Sequence, residues 1–231
     1  RLPLPPRWAL GYHQSRYSYT SRAELEAVAA GRRRRRLPCD AVYCDIHHMD
    51  GYRVFTFGKS YPRPAEMIAR LARRGFRVVT IVDPGVKDDP SYPVFRRGRE
   101  REAFVKDSAG RKDAVGKAWP GRCRFPDFLH APTRDWWGDE QRALLDLGVA
   151  GIWNDMNEPA NLDGRHRTLP PGCLHRTDHG RRRHADDEQR FPCSEMSAGG
   201  GGARWRHLGQ HSGNATARAG AHADLGIDHP D

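Results

Sequence analysis

The chain has 231 residues, enough for one domain with a sizeable core or for most of a barrel. Its 39 Lys and Arg against 29 Asp and Glu give a formal net charge of +10, and 37% of the residues are hydrophobic. No apolar run approaches the length of a membrane span, so no helix is expected to cross a membrane.

A basic balance ordinarily points to nucleic acid or an anionic surface. Here the excess is Arg spread through the chain, densest at residues 32–36, with no recognition motif around it. Cations there suit the negative end of a helix dipole, so a solvated helix end is expected and no nucleic-acid partner. Cys39, Cys44, Cys123, Cys173 and Cys193 form neither a CxxC pair nor a disulfide ladder. An odd count without a secretory leader predicts free, buried thiols in a reducing, cytoplasmic setting. Arg1 stands where an initiator Met would, which leads to the expectation of a fragment.

Residues 1–7 are Pro-rich and unsuited to a sheet interior. Residues 8–12 predict a first strand, with His13-Gln14-Ser15-Arg16-Tyr17 as a polar, aromatic exit. Thr20 or Ser21 can cap the first helix, and Glu24 stands as the capping-box partner of Ser21. Residues 41–46 predict a second strand that leads into Asp45-Ile46-His47-His48-Met49-Asp50-Gly51. Pro62 or Pro64 opens a second helix with Met67, Ile68, Leu71 and Ala72 as its stripe and Gly75 as its stop. Residues 76–82 predict a third strand with a continuous apolar core, as in a parallel strand buried on both faces, and end at Asp83-Pro84-Gly85.

From 87 to 128 the periodicity fails. A connection this long inside a βα unit is commonly functional, as a lid or inserted subdomain. A third helix over residues 133–147 and a fourth strand over 149–153 follow. This alternation predicts an α/β chain: the first half, about four βα units, of a parallel (β/α)8 barrel. Residues 1–184 form that partial barrel, with the insertion at about 87–128. Residues 185–231 form a low-complexity, disordered or aberrant tail, because beyond the glycine run at 199–202 little apolar surface is left to offset ordering entropy.

The fourth strand carries Gly151-Ile152-Trp153-Asn154-Asp155-Met156-Asn157-Glu158-Pro159. It sets Asp155 at the strand's carboxyl end, the face where barrels build active sites. The competing reading of a strand-end Asp is a cap for the next helix. Four further blocks accompany it in chain order: residues 10–19; residues 45–50 with 53–57; Ile81-Val82-Asp83-Pro84-Gly85; and Trp119-Pro120-Gly121 with Phe125-Pro126-Asp127-Phe128. Together they resemble glycoside hydrolase family 31, the α-glucosidase and α-xylosidase group, over about residues 6–184.

The resemblance implies retaining hydrolysis of α-glucosides or related oligosaccharides, without cofactor or metal. Retaining enzymes need one carboxylate to attack the anomeric carbon and an acid to protonate the leaving oxygen. The match makes Asp155 the nucleophile. It makes Asp45 a hydrogen-bonding group for sugar hydroxyls and therefore a specificity determinant. Trp119, Trp153 and Met156 become the apolar wall, Tyr17 and Ile81 further pocket positions, and Glu158 a supporting group. Asp83 is read either as a turn former or as part of the site, and Asp127 as a brace of the insertion. His47, His48 and Asp50 suggest a metal by composition but lack ligand spacing. In family 31 the acid is an Asp in a Trp-x-Gly-Asp-Asn block, preceded by a Leu-Thr-Arg block, and neither occurs here. The chain is therefore expected to be inactive as it stands. The alternatives are a carbohydrate-binding remnant without turnover and a basic nucleic-acid-binding module; oligomeric state is left open.

Overall fold

The computed structural model describes residues 4–163, 167–177 and 180–184, so the expected tail at 185–231 lies outside the described residues. The first strand, β1, is His13–Gln14. The strand expected at residues 8–12 is instead a 3-10 turn, Arg7–Leu10, closed by the Ala9 N–H on the Pro6 carbonyl and the Gly11 N–H on the Trp8 carbonyl. Extended chain begins only past Gly11, where a Cβ would fall 2.0 Å from the Asp40 carboxylate.

Helix α1 (Arg22–Arg34) starts at Ser21, whose hydroxyl accepts from the Glu24 N–H at 3.2 Å. The Glu24 carboxylate reaches back to the Thr20 N–H at 2.8 Å rather than to Ser21, so the box closes one residue early. Its Arg-rich end is partly a packing device. Arg33 lies 3.8 Å over the Phe76 ring and donates to the carbonyls of Cys39, Arg74 and Gly75. Strand β2 (Ala41–Cys44) and helix α2 (Pro64–Arg73) follow, α2 opening on its Pro and ending ahead of Gly75 at φ +80°. Buried Arg22 ties α1 to α2, donating to the Pro62 carbonyl at 2.8 Å and pairing with Glu26 and Glu66.

Strand β3 (Arg77–Val82) is buried after its first residue. The insertion then folds as β4 (Val86–Lys87), α3 (Pro93–Glu100), β5 (Gly116–Ala118) and β6 (Gly121–Arg124), with an antiparallel sheet of order β4-β6-β5. Helix α3 had no readable period. It packs through Val94, Phe95 and Gly98, and a Cβ at Gly98 would meet Phe104 and Trp136 at 2.6–2.9 Å. Helix α4 (Ala131–Leu145) brings up Trp136, Trp137 and buried Glu140, which takes two 2.6 Å bonds from Arg97 and one of 2.8 Å from the Trp136 indole. Strand β7 (Gly151–Asn154) rejoins the main sheet, and β8 (Leu174–Thr177) with β9 (Gly180–Arg183) forms a hairpin.

The main sheet is parallel, in order β1-β2-β3-β7, with Cys44 opposite Thr80 and Val82 opposite Asn154. The core formed between its helices and strands is continuous from Leu25 on α1 to Leu144 on α4. A four-stranded parallel sheet with helices following its strands is half of an eight-stranded barrel. A smaller cluster around Val105, Cys123, Phe125 and Leu169 holds the insertion. The four described cysteines are free and buried. Among the described residues no helix is long and apolar enough to cross a membrane.

Candidate active site

The carboxyl ends of the parallel strands open on a cavity of about 340 Å³. It is lined by Tyr17, Asp45, Ile81, Trp119, Trp153, Asp155 and Met156, together with Ser15, Arg16 and Ile46. Residues spread over 140 positions of sequence meet because parallel strands deliver their last side chains to one edge. Ile81 pairs with Trp153 in register, so the two form adjacent wall positions.

Asp45 ends β2 and caps the short turn Ile46–His48, accepting from the Ile46 N–H at 2.7 Å. Burial pushes its carboxyl up; the Ile46 N–H and His47 pull the other way. Asp155 is half-buried at the end of β7. Burial raises it above the ordinary Asp value, the nearby Met156 N–H offsets part of this, and the Asp45 charge adds to the rise. Met156 sits at φ +61°, a left-handed backbone that non-glycine residues seldom adopt and that turns the chain sharply behind Asp155.

The rim is aromatic. Tyr17, 68% exposed, lies 5.6 Å from the His47 ring and 6.5 Å from that of Trp119, and Trp153 meets Tyr43 at 6.0 Å. Aromatic faces at this spacing suit the apolar face of a sugar ring. The two histidines part company. His47 helps build the rim, whereas His48 is enclosed against Phe57 and Tyr61 and pushed down to about 4 by burial, which keeps it neutral. Among the described residues no group of three or more His, Cys, Asp or Glu is placed to hold a metal ion.

Glu158 is exposed and does not line the cavity. Asp127 lies away from it, buried against His175 and the Arg176 N–H. Asp83 is buried beside the acids without lining the cavity. Ser15, Arg16 and Ile46 were not singled out from the sequence; their only signal was their place at strand exits.

Acids and aromatics at the carboxyl edge of a half barrel form a candidate active site on a (β/α) scaffold. The family description "Glycosyl hydrolases family 31 TIM-barrel domain" matches residues 2–213, and the chain belongs to that family. It is 46% identical over 179 residues to alpha-glucosidase 2 of Bacillus thermoamyloliquefaciens, covering 77% of this chain and 22% of that protein. It is 36% identical to alpha-xylosidase 1 of Arabidopsis thaliana, over 74% of this chain and 19% of that one. The crystal structure of the family 31 alpha-glucosidase from Bacteroides thetaiotaomicron superposes with a TM-score of 0.65 at 44% identity, over 73% of this chain and 29% of that one. The chain thus spans about a fifth of the length of the curated relatives it matches.

Proposed function

We propose that this chain is the nucleophile-bearing half of a retaining α-glycosidase site that acts on α-glucosides. The observation that carries the reading is the single cavity in which Asp155 and Asp45 meet a wall of Trp119, Trp153, Ile81 and Met156. In the first step an Asp155 oxygen bonds to the anomeric carbon as the glycosidic C–O bond breaks. The leaving oxygen takes a proton from an acid, and water then cleaves the glycosyl ester. Asp45 holds ring hydroxyls and the aromatic wall seats the pyranose face. The chain lacks the Trp-x-Gly-Asp-Asn block, so the acid is assigned to a part of the barrel outside it, and the chain alone is expected not to turn over. General-acid help is worth about 10²–10⁴-fold. Similarity to α-glucosidases supports a glucoside over a xyloside. Four buried free thiols support a reducing, cytoplasmic compartment.

The test is a complete barrel made by joining this chain to the C-terminal half of the Bacillus relative. Glucosyl fluorides need little acid assistance, so they isolate the attack by Asp155. Asp155→Asn should cut fluoride turnover by about 10⁴-fold or more. Because Asp155 must be ionised and burial raises it, the acidic limb of kcat/KM should lie above the ordinary Asp value. Near-normal turnover by the Asn variant would overturn the assignment.

A further inference from the structure

We propose that Asp83 is a positioning residue for this site: it holds the proton of the carboxyl cluster and so leaves the negative charge on Asp155. The proposal rests on the reading of Asp155 as nucleophile, and its placement comes from the sheet. Val82 stands opposite Asn154 in the β3–β7 register, so the next residues, Asp83 and Asp155, leave adjacent strands side by side. Neighbouring strands run about 4.8 Å apart. Asp45 leaves β2 just past Cys44, which is opposite Thr80, so it stands level with Ile81, two residues before Asp83.

The three acids live differently. Asp45 and Asp155 face the cavity, and each has a backbone N–H beside its carboxyl. Asp83 is 4% exposed, and among the described residues neither of its oxygens has a hydrogen-bond partner. The charged groups acting on it are Asp155 from β7, Asp45 from β2 and Glu158 from the loop after β7, all acidic. A buried carboxylate without a partner costs several kcal/mol, and three like charges add to that cost. Protonation removes both. Burial first, then Asp155, Asp45 and Glu158, push Asp83 up to about 8, so near neutrality it carries the proton. An ionised Asp83 would instead draw a proton onto Asp155 and remove the nucleophile. Two carboxyls driven apart by their surroundings take separate roles.

The experiment titrates the whole chain, labelled with ¹³C at the Asp carboxyls, by NMR. One carboxyl should titrate near pH 8, and Asp83→Asn should abolish that transition. Asp83→Asn should leave the Asp155 midpoint in place, because Asp83 is already neutral while Asp155 titrates. Asp155→Asn should lower the Asp83 midpoint by removing a neighbouring charge. A merely structural role would not produce this asymmetry. An Asp83 midpoint in the ordinary Asp range, or an Asp155 midpoint that falls in Asp83→Asn, would overturn the proposal. Should Asp83→Asn not fold, the wild-type chain and Asp155→Asn still decide it. No substrate enters the measurement, so failure of the nucleophile assignment is read separately, from fluoride turnover in the joined barrel.

Discussion

Where the insertion meets the β8–β9 hairpin, Asp127 is 1% exposed and both of its oxygens are used. His175 Nδ1 lies 2.9 Å from one, and the Arg176 N–H donates to the other at 2.6 Å. His175 in turn meets His184 at 3.2 Å, and His184 meets Thr168 at 3.4 Å. At the carboxyl edge of the sheet, Asp83 is almost as enclosed and has no such partner among the described residues. The first acid uses both oxygens to tie the insertion to β8. The second leaves its own unused beside two acids that face a cavity. Satisfied buried acids hold structure together, and unsatisfied ones mark chemistry.

The contrast is broken most directly at Asp127. Asp127→Ala removes the partner of a buried His and a backbone N–H, and should cost about 3–5 kcal/mol in urea unfolding. A loss below about 1 kcal/mol would place Asp127 with the uncoupled acids. The next test is the pH dependence of stability. Asp83 lies near 8 when folded and in the ordinary Asp range when unfolded, so between those values the folded state holds the extra proton. Its contribution is complete below the unfolded value and is lost as pH rises towards 8. Asp83→Asn should flatten that decline by several kcal/mol in all, at about 1.4 kcal/mol for each pH unit over which the folded state alone holds the proton. A parallel pair of curves would mean that Asp83 titrates normally. The smallest effect is at the far end of the relay, where Thr168→Val should cost about 0.5–1.5 kcal/mol and leave the pH profile unchanged.

Much of the sheet was legible because its signals are strong. The β-branched run Val78-Val79-Thr80-Ile81-Val82 suits a doubly covered strand, and Asp155 follows a strand opened by Gly151. β1 was displaced because Trp8, Ala9 and Leu10 look like a strand but are held in a 3-10 turn behind Pro6. Helix α3 escaped because Pro93-Val94-Phe95-Arg96-Arg97-Gly98-Arg99-Glu100 has its two large apolar residues side by side and a glycine, the glycine being needed for close approach rather than for a turn. The β8–β9 hairpin escaped because β9 is Gly-Arg-Arg-Arg, exposed throughout. Asp83 read equally as a turn former, since neither burial nor the identity of a strand's lateral neighbour is written in a local motif. The tail at 185–231 lies outside the described residues.

The placement of the indoles has an optical consequence. Trp136 and Trp137 are buried in α4, 5.6 Å apart, and beyond the reach of a collisional quencher such as acrylamide. Trp119 is 37% exposed on the cavity rim, and Trp153 is partly covered on its wall. Among these four indoles, of the six tryptophans in the chain, quencher therefore separates a protected pair from a vulnerable pair. A ring lying on Trp119 moves it from the second group to the first, so occupancy of the cavity is readable from the chain's own fluorescence, without label or turnover.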